Sequence, residues 1–171
     1  MSAADIRIRP ATSADAGVLD DLIRQLAAHE GAADLITFTR AQVAEALGGS
    51  PPRLQAILAE DADGVCGFVT YTIDFAIWNG GDILRVDDVF VCKRVRRHGV
   101  GRLMMRRIAE LALAGNMIAR WEIEPANVAA QKFYRGLGTT LRDKIVARWE
   151  LPAMKEAAFA DAHGSEAKKR P

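Results

Sequence analysis

The stretch from Val89 to Arg107 constrains the fold most, because it predicts a strand, a basic turn with two glycines and a helix in direct succession. The residues before Lys93 form an apolar run, which is typical of a buried strand. Apolar residues then recur at helical spacing, and the members of that face are Met104, Met105, Ile108, Leu111 and Ala112. A helix N-terminus offers free backbone N–H groups and a partial positive charge, and glycine lets an anion approach the backbone closely. The stretch therefore predicts a phosphate or pyrophosphate cradle.

The spacing of the glycines excludes two common phosphate-binding motifs. The sequence contains no GxxxxGK[ST], and Gly99-Val100-Gly101 lacks the third glycine of a dinucleotide-binding fingerprint. What remains is Arg96-x-x-Gly99-x-Gly101, in which three fixed residues occupy six positions. Such a motif alone is weakly specific, and an ordinary strand-to-helix turn with solvated arginines is the competing interpretation.

The composition is that of a globular domain. Half of the 171 residues are hydrophobic, which is enough for one core. We expect that domain over residues 1–159, and a disordered tail over residues 160–171, where the residues are mostly small and polar.

Charge and cysteine usage limit the partners that we expect. The net charge of +1 gives no general attraction to nucleic acid. The chain has no apolar run of membrane-spanning length and no apolar segment at its N-terminus, so we expect a cytoplasmic protein with no membrane partner. Cys66 and Cys92 lie in separate apolar runs with no histidine at ligand spacing, so we expect free thiols and no metal site.

The periodicity along the chain predicts a mixed α/β fold. Its order is strand, two helices, three strands, the helix after Gly99, strand, helix and strand. The last three of these elements are predicted over Ile118–Glu124, Val128–Leu137 and Ile145–Leu151. Thr12 with Asp15, and Thr39 with Gln42, have the spacing of helix-capping pairs.

Further pieces of sequence support the cradle interpretation through their order and spacing. They are Ile8–Thr12, Leu26–Glu30, Val86–Val91, Arg96–Gly101, and Asn127 followed by Phe133-Tyr134 and Gly138. Together they resemble the GNAT superfamily of N-acetyltransferases, and within it the diamine branch that contains spermidine/spermine and thialysine acetyltransferases. The resemblance covers nearly the whole chain to about Phe159.

The resemblance implies a fold and a cofactor site. The expected fold is a strongly bent mixed sheet, flanked by helices and splayed where acetyl-CoA lies. Backbone groups of Val89, Phe90 and Val91 are expected to pair with the pantetheine arm. The expected pyrophosphate loop opens at Arg96 and continues through Arg97, His98, Gly99, Val100, Gly101 and Arg102. Asn127 and Phe133 are expected to line the other side of acetyl-CoA, and Tyr134 corresponds to the general acid of the family.

The resemblance also implies direct acetyl transfer to a primary amine of a small cationic acceptor, either a diamine or polyamine or a lysine-like amine. Glu30 and Asp87 match acidic amine-binding positions, and His29 stands where that branch has tyrosine. Arg97 occupies a loop position that is usually glycine, and Asp143 is the nearest counterpart of a further acidic pair. The branch forms homodimers, so we expect a homodimer.

Other functions remain open at this point. The acceptor could instead be an antibiotic amine or a protein amine, or the domain could bind acetyl-CoA as a regulator without turnover. The basic run Lys93–Arg107 could also be a nucleic-acid patch, but it lacks interleaved aromatic residues.

Overall fold

The computed structural model describes residues 5–164 of the chain, which forms two compact units, residues 1–128 and 129–171. The first unit contains five strands and three helices: β1 (Arg7–Pro10), α1 (Ala16–Glu30), α2 (Arg40–Gly48), β2 (Gln55–Asp61), β3 (Gly64–Ala76), β4 (Gly81–Val91), α3 (Val100–Ala114) and β5 (Ile118–Arg120). Helix α4 (Val128–Arg135) begins at the last residue of the first unit, and α5 (Leu151–Gly164) lies in the second.

The strands form one sheet in the order β1-β2-β3-β4-β5. The first four are antiparallel neighbours, and β5 runs parallel to β4. The core lies where α1 and α2 pack against the sheet, and Leu19, Leu58 and Phe68 are fully buried there. This arrangement confirms the predicted mixed α/β class.

Strand β4 departs from regular pairing at two places that position the candidate site. Thr70 of β3 pairs with Asp88 and Tyr71 pairs with Val86, so Asp87 is an extra residue in a β-bulge. Strand β5 pairs with β4 only from Ile83 to Arg85. Beyond Arg85, no described residue pairs with β4 on that side, and the two chains separate.

Hydrogen bonds at the starts of two helical segments agree with the predicted helix caps. The backbone N–H of Thr12 donates to Asp15 at 2.8 Å, and the backbone N–H of Thr39 donates to Gln42 at 2.8 Å. Arg9 bridges Asp15 and Glu60, which ties the start of α1 to the sheet. Its guanidinium holds the pKa of Asp15 down at about 2.

The final predicted strand is wrong. Residues 145–150 form no regular element, and a helix begins at Leu151. Ile145 is fully exposed, and without a paired neighbour an isolated segment of this length gains no ladder hydrogen bonds. Pro152 stands in the first turn of α5, where its missing N–H costs nothing.

Two other boundaries differ from expectation or lie beyond it. Strand β5 ends at Arg120, not at Glu124, because the chain leaves β4 there. Helix α5 continues to Gly164, and residues 165–171 of the predicted tail lie outside the described residues. Within the described range, no helix combines the length and apolar character needed to span a bilayer.

Candidate active site

The loop between β4 and α3 has the geometry of an anion cradle. A short 3₁₀ turn, Lys93–Val95, follows β4, and α3 begins at Val100. Val95 and Val100 are each 1% exposed, so apolar packing anchors both ends of the loop. Gly99 precedes the helix with φ 84°, a left-handed conformation that glycine adopts without steric cost. The first helical hydrogen bond runs from Leu103 N–H to Gly99 O at 3.0 Å, so the preceding N–H groups have no helical acceptor.

Arg97 also has a left-handed backbone, with φ 69°. A residue with a Cβ pays roughly 1–2 kcal/mol in this region. The position therefore has the backbone that favours glycine, although an arginine stands there. The loop gains a cation at the expense of local strain.

The cations of the basic run divide into structural and available groups. Arg94 forms an ion pair with Asp61, and Arg106 and Arg107 pair with Glu110. The guanidiniums of these three arginines are therefore engaged within the protein. Among the described residues, no hydrogen bond or ion pair engages the side chains of Arg97, His98 or Arg102, and all three are exposed.

Arg96 organises the start of the loop. Its Nε donates to Val91 O at 2.9 Å, and its guanidinium lies 5.7 Å from the centre of the Phe90 ring. Its Nη1 lies 3.5 Å from Nε2 of His29, near the end of α1. The structure thus brings together the predicted loop and one predicted substrate residue.

Glu30 ends α1 and is exposed, and Gly31 caps the helix with φ 69°. No hydrogen bond or ion pair joins Glu30 to Asp87 in the described chain. Asp87 lies four residues before Val91 on β4, which corresponds to roughly 13 Å along a strand. The two predicted acidic residues lie on different elements, Glu30 at the end of α1 and Asp87 in β4.

The place where β4 and β5 separate contains a cavity of about 170 Å³. Its lining residues are Arg85, Val86, Asp87, Arg120, Trp121 and Glu122. The pKa of Asp87 is raised, first by loss of solvent and then by the neighbouring charge of Asp88, while Arg85 opposes the shift. Within the described chain, Asp87 accepts no hydrogen bond. A carboxylate in this state favours a cationic ligand.

Asp88 has a different environment from Asp87. The buried Thr70 hydroxyl donates to its carboxylate at 3.2 Å, and the Asp88 backbone N–H donates to the same hydroxyl at 3.1 Å. Burial raises the pKa of Asp88, and the Thr70 hydrogen bond opposes that rise. Asp88 thus braces the β-bulge, and Asp87 is the member of the pair that lines the cavity.

On one side, residues Val89–Val91 of β4 pair with Val69, Phe68 and Gly67 of β3. On the other side, this part of β4 lacks a strand partner in the described chain. Its free backbone groups therefore suit an extended ligand arm. The residue types and geometry of this edge and of the Gly99 loop fit acetyl-CoA.

Asn127, Phe133 and Tyr134 lie around α4. Asn127 directly precedes the helix, and its N–H donates to Glu124 O at 2.8 Å. Phe133 and Tyr134 meet edge to face with ring centres 5.0 Å apart. Tyr134 is 7% exposed, and burial raises the pKa of its hydroxyl to about 12. The phenol therefore keeps its proton at neutral pH.

Sequence reasoning missed five cavity residues: Arg85, Val86, Arg120, Trp121 and Glu122. Arg85 and Asp87 show the two-residue spacing of one strand face, which was the available signal. The parallel register that brings Arg120 opposite Arg85 is not visible in the sequence. Among the described residues, no group of three or more potential metal ligands occurs.

Comparisons with known proteins agree with this geometry. The sequence model of the acetyltransferase (GNAT) family matches residues 21–139. Thialysine N-epsilon-acetyltransferase of Bos taurus is 28% identical over 166 residues, which cover 90% of this chain and 97% of that protein. An integron cassette protein from the V. cholerae mobile metagenome is 26% identical with a TM-score of 0.70, over 90% of this chain and 98% of that one. An aminoglycoside N-acetyltransferase solved in complex with CoA shares the fold, with a TM-score of 0.67 at 17% identity, over 85% of this chain and 95% of that one.

Proposed function

The chain belongs to the acetyltransferase (GNAT) family, and from this premise we propose that it acetylates a primary amine of a small cationic acceptor. Membership makes it an acetyl-CoA-dependent N-acetyltransferase. The observation that carries the acceptor class is Asp87, whose carboxylate has a raised pKa and no hydrogen-bond partner among residues 5–164, in the cavity between β4 and β5. Diamines, polyamines and lysine-like amines, thialysine among them, are the proposed acceptors.

The proposed acetyl-CoA site uses the open edge of β4 and the Gly99 loop. Backbone groups of Val89, Phe90 and Val91 would hold the pantetheine arm as a further strand would be held. The N–H groups from Arg97 to Arg102 would hold the pyrophosphate, with help from the side chains of Arg97, His98 and Arg102. Arg96 keeps this loop attached to the end of β4 through Val91 O. Asn127 and Phe133 are proposed to complete the site.

The acceptor must lose a proton before it can attack. An alkyl ammonium has a pKa of about 10.4, so roughly one molecule in a thousand or fewer is neutral at pH 7. A raised pKa makes Asp87 a stronger base than an ordinary aspartate. We assign to Asp87 the binding of the reacting ammonium, with proton removal directly or through water. Glu30, with His29 beside it, would hold a more distant part of the acceptor.

Negative charge also develops on the attacked carbonyl oxygen and on the leaving thiolate. We assign the stabilisation of these charges to a backbone N–H and to the Tyr134 phenol. A β4 N–H near Phe90 or Val91 would stabilise the oxygen of the attacked carbonyl. Tyr134 would act on the leaving thiolate. A thiol has a pKa of about 8.5, so full proton transfer from a phenol of pKa about 12 is uphill by about 3.5 pKa units. Tyr134 thus begins as a hydrogen-bond donor to sulfur, and completes proton transfer only if the bound complex lowers its pKa.

A panel of amines with acetyl-CoA, read by thiol release, tests this function. We expect turnover with diamines or lysine-like amines. Asp87→Asn and Glu30→Gln should each raise the KM for the amine about ten- to a hundredfold, because a charge-assisted hydrogen bond contributes roughly 1.5–3 kcal/mol. The KM for acetyl-CoA should change much less.

Asp82→Asn is the matched control, since Asp82 is an exposed aspartate of β4 outside the cavity. It should leave both KM values unchanged. Turnover that is equal for charged and uncharged amines, in wild type and variants alike, would reject the cationic acceptor. CoA binding without turnover of any amine would favour a regulatory role.

The homodimer and the cytoplasmic location are proposed on the resemblance and the composition alone. Neither is needed for the chemistry above.

A further inference from the structure

Two arginines meet in the cavity between β4 and β5. Arg85 and Arg120 are partners in the last paired position of the two strands, and both line the cavity. Like charges on directly paired positions repel, and a sheet gains nothing from such a pair by itself. Their side chains are also about half exposed, at 46% and 44%. The pair is therefore placed to meet a solute.

The protein engages few of the donors on these two side chains. Arg85 donates through Nε to Asp74 at 3.0 Å. Nη2 of Arg120 lies 3.9 Å from the Glu122 carboxylate, beyond hydrogen-bond length. Each guanidinium has five N–H donors in a planar fork that matches a carboxylate. Within the described chain, most of these donors are thus available to an anion placed between the two strands.

The other two charged residues of the cavity are acidic, and each follows an arginine by two positions. Asp87 follows Arg85, and Glu122 follows Arg120. The cavity consequently carries two guanidiniums and two carboxylates, and the head groups of Arg120 and Glu122 lie 3.9 Å apart. Along β4 the backbones of Arg85 and Asp87 are roughly 6.6 Å apart, a distance that a short aliphatic chain covers.

This arrangement suits a zwitterion better than a polyamine. A polyamine in the cavity would place positive charge near both guanidiniums as well as near both carboxylates. An acceptor with a carboxylate and an amine offers a partner to the guanidiniums and to the carboxylates at once. The cavity, at about 170 Å³, is smaller than the roughly 300–1,000 Å³ of drug-sized ligand pockets, so it accommodates a small acceptor or one end of a larger one.

We infer that Arg85 and Arg120 bind a carboxylate of the acceptor, so that the enzyme selects a zwitterionic amine over the same amine without its carboxylate. The inference rests on the proposed function, because it names a specificity contact for the same acceptor site. Asp87 keeps its place at the reacting amine, and Glu122 faces a second amine of the acceptor. The competing interpretation is that the arginines only form surface ion pairs with Asp74 and Glu122, which contribute little.

Lysine and cadaverine provide the decisive pair, because they differ only by the carboxylate. We expect kcat/KM for lysine to exceed that for cadaverine at least tenfold in the wild type. Arg120→Met and Arg85→Met, which keep most of the side-chain volume, should each shrink the ratio at least tenfold. Arg120→Lys should restore part of the ratio, since it retains the charge without the planar fork. Arg106→Met is the matched control, because Arg106 lies on the exposed face of α3 outside the cavity.

The outcomes separate this inference from the proposed function. Equal use of lysine and cadaverine, or a ratio that neither cavity variant changes, overturns the carboxylate site while the acetyltransferase function stands. Turnover of neither amine, nor of any other small cationic amine, removes the proposed function. Calorimetry of lysine and cadaverine binding, with CoA present, then tests the carboxylate site independently of turnover. Lysine binding that exceeds cadaverine binding, and that is lost in Arg120→Met but kept in Arg106→Met, supports the inference, and any other binding pattern overturns it.

Discussion

At the scale of single residues, Tyr134 shows how burial sets a chemical role. A buried phenol loses the solvation that its ionised form needs, which is why the pKa rises to about 12. The hydroxyl is accordingly protonated at neutral pH. Its proposed task, hydrogen bonding to a leaving thiolate, needs that proton.

Tyr134→Phe tests the task directly, because it removes one hydroxyl and keeps the ring. We expect the single-turnover rate of acetyl transfer to fall about ten- to a hundredfold, because a hydrogen bond to a charged group contributes roughly 1.5–3 kcal/mol, and about 10²- to 10⁴-fold if the proton is also transferred. The Kd for CoA should change little. The wild-type rate should show no ionisation of this group between pH 6 and 9, since its raised pKa lies well above that window.

The folded state should also lose stability in alkali through the same residue. A raised pKa in the folded state stabilises the fold below the ordinary tyrosine value of about 10, and that contribution disappears as the pH rises from about 10 to 12. Tyr134→Phe should therefore flatten the loss of stability at alkaline pH.

The kinetic test has its own contradicting outcome. If Tyr134→Phe transfers the acetyl group at the wild-type single-turnover rate, the acid is water or another residue.

Arg97 is a second residue that leads to a testable prediction, in this case because of its backbone conformation. Its left-handed conformation costs roughly 1–2 kcal/mol, whereas glycine there loses roughly 0.5–1 kcal/mol through its freedom in the unfolded chain. Arg97→Gly should thus stabilise the protein by up to about 1.5 kcal/mol, or roughly 3–6 °C in thermal midpoint. It should also weaken CoA binding by removing one loop cation.

Arg102→Gly is the matched control for Arg97→Gly. It removes a cation of the same loop, but Arg102 has helical geometry in the first turn of α3. Glycine at that position should destabilise the protein, by about 0.5 kcal/mol or more. Thermal denaturation that shifts in the same direction for both variants would refute the strain at Arg97.

At the scale of elements, the Gly99 loop is the part that sequence described best. The strand, the turn and the helix are each determined by residues close in the sequence. The apolar anchors and the glycines of the loop lie within about ten positions of one another. Gly99→Asp adds a strained Cβ and a negative charge where the pyrophosphate is proposed to lie. We expect the Kd for CoA, measured by calorimetry, to rise at least tenfold.

Gly80→Asp is the control for Gly99→Asp. It adds the same charge and the same backbone strain at a position away from the proposed pyrophosphate site. Gly80 also has a left-handed backbone, with φ 62°, and its added Cβ would meet nothing within 4 Å. It lies in the turn between β3 and β4, away from the Gly99 loop. CoA binding that falls equally in both variants, or in neither, would reject the loop as the pyrophosphate site.

Elements that depend on distant partners were predicted less well. The alternating residues from Ile145 to Leu151 have the pattern of a strand, yet a strand forms only where a neighbour supplies the ladder. Strand β5 was predicted too long for the same reason, since its pairing with β4 stops at Arg120. The sheet order β1-β2-β3-β4-β5 and the site of separation are long-range properties.

The candidate site divides along the same line. Local pattern predicted the Gly99 loop, and the resemblance pointed to Asp87, Glu30 and Tyr134, whose roles stay predictions. The strand pattern by itself could not choose between Asp87 and Asp88, because their environments depend on Thr70 and on a β-bulge set by the register with β3. It also could not find Arg120 and Glu122, whose position follows from parallel pairing.

At the scale of the whole molecule, the tip of the β3–β4 hairpin presents apolar side chains to solvent. We define the tip by Ile73, Phe75, Ile77 and Trp78, and the exposures of the last two are 81% and 98%. Scattered apolar residues are normal on a protein surface, but a contiguous exposed group commonly marks an interaction surface. The resemblance to dimeric acetyltransferases makes a second copy of this chain the expected partner.

We therefore predict a homodimer at micromolar concentration whose interface includes the hairpin tip. Light scattering should give twice the mass of the chain. Trp78→Ser should raise the dimer dissociation constant at least tenfold, because a buried tryptophan is a common interface anchor worth roughly 2 kcal/mol or more. Leu113→Ser, which changes an equally apolar and 80% exposed residue of α3, should leave the dimer intact. A monomer at every concentration would reject the dimer, and a dimer that Trp78→Ser does not weaken would place the interface elsewhere on the chain.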